Sequence, residues 1–230
     1  MTLTHYGWRE WGGVTVLALL LLSSAAWLCR AGWTVSGTIV AIAAVLLWIG
    51  VAGFFRSPSR RIPADDTLLL SPADGTVKDI EVVDFDQAPF TGKAMRVGIF
   101  LSVFNVHVNR APANWKIESK LYREGRYLDA RDEACIKENE AMTIAGEAEA
   151  AGRVFSMGVR QISGAIARRI VCPVEPGRKI TRGKIYGMIK FGSRTELYFP
   201  VDDAFAVQVK IGDKVRAGIT PLVKIADKES

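Results

Sequence analysis

Two histidines bound the acid–base chemistry open to this chain of 230 residues. His5 stands in the N-terminal tail. His107 stands in Phe104-Asn105-Val106-His107-Val108-Asn109-Arg110, which alternates like a strand and sets Asn105, His107 and Asn109 on one face. Two amides beside an imidazole can fix its tautomer. On periodicity alone, the plainer reading is a half-solvated strand residue. Asp74, in Pro72-Ala73-Asp74-Gly75, reads as a turn residue bonding its own backbone. Ser193, in Phe191-Gly192-Ser193-Arg194, reads as a Gly-Ser turn between two strands. Together an Asp, a His and a Ser from separate segments can supply orienter, base and nucleophile. No G-x-S-x-G pentapeptide occurs, so the nucleophile elbow of an α/β-hydrolase is excluded. A conventional serine hydrolase on Asp74, His107 and Ser193 stays open as an alternative.

These residues belong to the second of two unlike parts. Residues 1–55 hold three charged residues, Arg9, Glu10 and Arg30, and five of the six tryptophans. The uncharged runs are 19 residues from Trp11 to Cys29 and 25 from Ala31 to Phe55. Each is long enough to cross a bilayer, which takes about 20 apolar residues. The turn at Arg30-Ala31-Gly32 predicts a hairpin of two apolar helices, with tryptophans near the run ends at headgroup level. Ser23 and Ser24 interrupt the first run, which also resembles a cleaved signal peptide; the second run behind it favours a retained hairpin. Such a hairpin either spans the bilayer or dips into one leaflet. Arg56, Arg60 and Arg61 follow at once, outnumbering Arg30, so the positive-inside bias puts the remainder on the cytoplasmic side of the cell membrane. The same arginines are candidate contacts for anionic headgroups.

The remainder reads as mainly β, within an α+β class. Leu68–Leu70, Thr76–Val83 and Arg96–Val108 are strand-like, and helix-favouring composition is confined to Asp129–Ala141 and Ile162–Arg169. Its modest positive charge is not interleaved with aromatics, which argues against nucleic acid as a partner. Three cysteines without a C-x-x-C spacing indicate neither a metal site nor a disulfide framework. A faint repeat matches Gly177–Gly183 to Gly212–Gly218 as G-x-x-[IV]-x-x-G. Glycines closing a tight turn suit a folded-over sheet, and the spacing resembles the turns of barrel-sandwich domains. Met188-Ile189-Lys190 distantly resembles the Met-Lys pair that carries biotin or lipoate, so a membrane-tethered carrier or binding module is a second alternative.

Five landmarks in order give the chain its resemblance to a known family. They are Phe54-Phe55-Arg56-Ser57-Pro58-Ser59-Arg60, Ser71–Gly75, Ser102–Pro112, Gln161–Arg168 and Phe191-Gly192-Ser193. Their set resembles the short, membrane-hairpin phosphatidylserine decarboxylases, from Phe54 to about Pro221. One departure is Phe191-Gly192-Ser193-Arg194 where the long branch carries Leu-Gly-Ser-Thr. The resemblance implies a zymogen of phospholipid biosynthesis that cuts itself between Gly192 and Ser193. In it His107, oriented by Asp74, deprotonates Ser193, which attacks the Gly192 carbonyl and ends as a pyruvoyl cofactor, with no metal. That carbonyl would form a Schiff base with phosphatidylserine and serve as electron sink during decarboxylation to phosphatidylethanolamine. The implied organisation is a hairpin over 1–55, a basic linker over 56–66 and a catalytic domain over 67–230. The implied partners are the membrane lipid and the chain's own two fragments, with a homo-oligomer open.

Overall fold

The computed structural model describes residues 2–132, 134–165, 169–190 and 192–226. They divide into two compact units, Met1–Ser59 and Arg60–Ser230. In the first, helices Trp8–Arg30 and Thr34–Phe54 are joined by a turn with Gly32 at φ +91°. The Ser23 and Ser24 hydroxyls bond the carbonyls of Leu19 and Leu20, so the helix runs through the serines. Small residues, Ala18, Ala25, Gly37 and Ala44, fill the seam between the helices. A methyl added at Gly37 would strike Cys29 Sγ and the Ala25 carbonyl, which shows how near the backbones lie. Leu17, Leu20, Ile42 and Leu46 face outward, and both helices are long and apolar enough to cross a membrane, with mean hydropathies of 2.0 and 2.3.

The second unit is built on an eight-stranded antiparallel sheet, curled into a half-barrel. Its spatial order is Lys179–Ile180, Asn114–Arg123, Ala141–Ala150, Arg153–Ser163, Ser193–Pro200, Phe90–Leu101, Gly75–Gln87 and Lys214–Val215. One face of the sheet carries the main core, including Val97, Ile99, Ile117, Val159, Leu197 and Phe199. Bulges at Val77/Asp79 and Ile117/Ser119 bend the two long strands that carry them. Two three-stranded sheets complete the unit. One of them pairs Ile185–Ile189 with Val108–Arg110.

The G-x-x-[IV]-x-x-G repeat forms the two outer edges of the large sheet. Gly177, Gly183, Gly212 and Gly218 all have positive φ, from +68° to +95°, a region that side chains enter at a cost. The bonding is duplicated as well. Gly177 N–H donates to Ile117 O and Gly212 N–H to Val77 O, the residues that open the two bulges. Asn114 Oδ1 accepts from Arg182 N–H, and Asp74 Oδ1 accepts from Ala217 N–H, at matching places in the repeat. Asp74 therefore braces a distant turn rather than its own, contrary to the local turn expected from Pro-Ala-Asp-Gly.

Three further expectations change. The helix over Asp129–Ala141 shrinks to Ala134–Glu138, and Ala141 already begins a strand. Ile162 and Ser163 close a strand, while Ile166–Arg168 lie outside the described residues. The run from Arg96 to Val108 breaks at Leu101, and a turn over Ser102–Asn105 intervenes before Val108–Arg110. His107 follows that turn and is fully buried, so it is no half-solvated strand residue. The apolar positions on both sides of it created the false alternation.

The repeat glycines give a graded test. Gly212→Ala meets open space and should lose only the backbone preference, about 1–2 kcal/mol. Gly218→Ala should lose more, because its methyl also meets Arg110 and Ile62. Thermal unfolding in detergent should rank wild type above Gly212→Ala above Gly218→Ala; equal melting of the two variants would reject the crowding.

Candidate active site

Ser193 opens the strand Ser193–Pro200, and Ser193 to Phe199 are all buried. Alternation sends Ser193, Thr195, Leu197 and Phe199 to the main core and Arg194, Glu196 and Tyr198 to the opposite face. On the core side, register sets Ser193 opposite Ser163 and Thr195 opposite Gln161. Gln161 Nε2 donates to Asn109 Oδ1 at 2.8 Å, and Asn109 Nδ2 donates to Thr195 Oγ1 at 3.2 Å. Three buried side-chain oxygens beside this chain have no hydrogen-bond partner: Ser193 Oγ, Ser163 Oγ and Gln161 Oε1. An unsatisfied buried polar atom costs about 1–3 kcal/mol, so three on neighbouring positions point to a place that receives polar atoms from elsewhere.

His107 meets this place from the side. Its Nδ1 lies 2.9 Å from the carbonyl of Asn105, which can only accept, so Nδ1 carries the proton. Nε2 is then the acceptor, and it takes the amide N–H of Gly192 at 3.3 Å. The two contacts fix one neutral tautomer. The acceptor nitrogen is thereby directed at the residue preceding Ser193, while Ser193 Oγ itself bonds nothing. Backbone anchoring is independent, since Ile189 N–H donates to His107 O.

Gly192 has φ +63° and room for a Cβ, which would meet only Val103 Cγ1 at an ordinary contact distance of 3.9 Å, so conformation rather than room calls for glycine. At Gly164 the reason is reversed: a methyl there would strike the Gly192 carbonyl oxygen. Asn139 pins that neighbourhood, with Nδ2 donating to the Ser163 carbonyl at 2.7 Å. Phe191, expected as part of the processing tetrapeptide, lies outside the described residues.

Asp74 is placed differently from the expected orienter of His107. Its carboxylate accepts two bonds from Arg60, at 2.6 and 2.7 Å, and one from Ala217 N–H at 2.8 Å. Arg60 also donates to Ala217 O, and its side chain is 5% exposed. The Arg60 side chain is thus buried in an ion pair that ties Asp74 to Ala217, and His107 Nδ1 bonds Asn105 O. Arg61 is exposed and Arg56 half-buried.

Arg194, the departure in the sequence, sits on the opposite face in a buried ion cluster. Its Nε donates to Glu196 at 2.8 Å and its NH2 to Asp79, with Arg96 bridging Asp79 and Glu81. Burial opposes the charge on Arg194, but Glu196 and Asp79 outweigh it and hold the guanidinium protonated beyond its usual range. Gly98 makes the room, because a methyl there would overlap both Arg194 and Asp79.

Competing sites are poorer. A cleft of 490 Å³ lined by Asn114, Lys116, Glu147 and Lys179 lies at the sheet edge and contains none of the site residues. Cys135 and Cys172 are buried and free, and burial pushes both thiols up to about 11, away from nucleophilic use. Among the described residues no group of three or more His, Cys, Asp or Glu is placed to hold a metal. Lys190 is 5% exposed, whereas a biotin- or lipoate-carrying lysine must stand in solvent. Sequence reasoning missed Gln161 and Ser163 as individual site residues, together with Asn139 and Asp79. Only the register of the paired strands brings them together, although Gln161–Gly164 already stood in a landmark.

Residues 50–222 match the family model described as phosphatidylserine decarboxylase. A phosphatidylserine decarboxylase proenzyme of Rhodopirellula baltica is 41% identical over 208 residues, covering 90% of this chain and 81% of the relative. Proenzymes of the same description from Pelobacter propionicus and Desulfotalea psychrophila are 40% and 43% identical. The first covers 93% of this chain and 92% of its own length, the second 75% and 78%.

The ion cluster yields a prediction. Arg194→Met leaves Glu196, fully buried, with the Tyr198 hydroxyl as its one close partner and with Arg96 and Arg160 only at 3.8 and 3.9 Å. Breaking a buried pair on one side should lower stability by about 3 kcal/mol or more. Denaturant unfolding in detergent measures it, and a loss within error of zero would remove the cluster from the fold's support.

Proposed function

Because the chain belongs to the phosphatidylserine decarboxylase family, we propose that it decarboxylates phosphatidylserine to phosphatidylethanolamine at a pyruvoyl group made from Ser193. The observation that carries this reading is Ser193 Oγ, a buried hydroxyl without a partner, following a glycine at φ +63° whose amide N–H bonds His107 Nε2. A serine hydroxyl is a poor nucleophile until a positioned base takes its proton, and Nε2 is an unprotonated nitrogen one residue away. Catalytic bonds are often loose before the reacting geometry is reached, so the step requires Nε2 to pass from the Gly192 amide to Ser193 Oγ.

In maturation, Ser193 Oγ attacks the Gly192 carbonyl carbon and the Gly192–Ser193 amide bond breaks, giving an ester. β-Elimination then leaves a carboxylate on Gly192 and dehydroalanine at position 193. Water replaces the nitrogen of that residue, ammonia leaves, and pyruvoyl remains. Gly164 keeps the space beside the Gly192 carbonyl free of side chain. A pyruvoyl group held at position 193 would supply the electron sink that decarboxylation of an amine-bearing substrate needs. Ser163 Oγ and Gln161 Oε1, buried and unpartnered beside position 193, fit a group that brings its own polar atoms there.

The chain would become fragments 1–192 and 193–230. Three interactions support their staying together. Ser193–Pro200 is paired to Phe90–Leu101 over its whole length and to Arg153–Ser163 over six residues. Arg194 bonds Asp79, and Asp74 with Arg60 grips Ala217. Asp74 thus contributes as a clamp on the small fragment.

The two apolar helices favour a membrane hairpin over 1–55, with 56–66 as linker and 67–230 as catalytic domain. The arginines after the hairpin favour the cytoplasmic face. Burial of Lys190 and of Ser193 weighs against the carrier and hydrolase alternatives.

Denaturing intact-mass spectra test the reading. Wild type should give two species, 1–192 and 193–230, the smaller lacking its α-amino nitrogen and releasing carbon dioxide from phosphatidylserine when reassembled as purified. Ser193→Ala should give one uncut chain, and Gly164→Ala should lose most of the cleavage. A wild-type chain that is never cut would remove the pyruvoyl group and this reading with it.

A further inference from the structure

We propose that the turn Ser102–Asn105 is a membrane-docking tip, placing Phe104 in the lipid surface beside the site so that the substrate headgroup reaches position 193. The inference rests on the decarboxylase reading above and concerns how its lipid arrives.

Phe104 is 84% exposed, more than any other large hydrophobic residue described in the chain. Single exposed apolar residues are ordinary on protein surfaces. This one differs in how it is held. Asn105 N–H donates to Ser102 O at 2.9 Å, while Asn105 Oδ1 accepts from the Ser102 amide at 2.9 Å and its hydroxyl at 2.8 Å. Three bonds close the ends of the turn and leave Val103 and Phe104 at its tip. Turn tips in water carry Gly, Pro, Asn, Asp or Ser, each for a backbone reason. A rigid turn presenting Val-Phe does not follow from those reasons.

Its place is equally specific. Val103 Cγ1 lies 3.9 Å from where a Gly192 Cβ would sit. The carbonyl of Asn105 is the acceptor that orients His107 Nδ1. The tip is therefore one residue from both halves of the proposed chemistry. A lipid whose amine and carboxylate must enter a buried site keeps its acyl chains in the bilayer, so the protein surface bordering the entrance has to meet hydrocarbon. An aromatic side chain at the headgroup boundary meets that requirement. The bilayer is the occupant because the substrate itself resides there.

The test uses the full chain with its hairpin, as wild type, Phe104→Asp and Phe104→Leu. Carbon dioxide release is measured on dioleoyl phosphatidylserine vesicles and on monomeric dihexanoyl phosphatidylserine. The hairpin tethers all three proteins equally, so the ratio of vesicle to monomer turnover reports the tip. Phe104→Asp should lower that ratio at least tenfold, and Phe104→Leu should keep it within threefold. An unchanged ratio in Phe104→Asp overturns the proposal, as does an equal fall on both substrates, which assigns Phe104 to the architecture of the site. A ratio that tracks a change in oligomeric state assigns the tip to a second copy and also overturns it. Intact mass on each sample separates the two readings: cleaved protein with an unchanged ratio sinks the docking tip alone, and uncut wild type sinks both.

Discussion

The site depends on one strand that is buried on both faces. Ser193–Pro200 lies between Phe90–Leu101 and Arg153–Ser163, with apolar core against one side and an ion cluster against the other. A strand so enclosed has little freedom to shift, because a one-residue slip would send Arg194 and Glu196 into hydrocarbon and Leu197 into the charges. The placement of Ser193 at its first residue follows from that lock. The cluster of Arg194, Glu196, Asp79 and Arg96 need not add much net stability, since desolvation opposes its attraction. What it does supply is register, on the strand whose first residue is Ser193.

The same economy of means appears at the sheet edges. Two related turns brace the long bulged strands, each with an amide or carboxylate bonding the backbone N–H before the closing glycine. In one copy the residue is Asn114, near the 490 Å³ edge cleft. In the other it is Asp74, whose added charge pairs with Arg60. The pairing turns a turn brace into a clamp. The carboxylate therefore has a sufficient structural reason, and the imidazole obtains its orientation more locally, from a carbonyl two residues away. A backbone acceptor keeps the tautomer without placing a negative charge against the ring.

Much of this was legible in the residue string. Composition and uninterrupted apolar runs gave the helical hairpin, because lipid demands about 20 uncharged residues whatever surrounds them. Turn glycines gave the folded-over sheet, since positive φ is a local demand that few other residues meet. Gly192, Ser193 and His107 were visible through the resemblance of the landmarks that hold them. The Asp129–Ala141 helix was overestimated because propensity there yields to pairing of Ala141–Ala150 with two neighbours.

What only the tertiary structure decided is partnership between distant residues. The string could name Asp74, Arg60 and His107, yet not that Asp74 binds Arg60 and Ala217 while His107 binds Asn105 and Gly192. Nor could it show that Arg194 finds Asp79 across 115 positions, or that Ser163 and Gln161 stand beside Ser193 and Thr195. Local sequence fixes backbone preference and polarity, which act over a few residues. Register, burial and hydrogen-bond choice are set by which strands lie side by side, and that follows from closing the whole core at once.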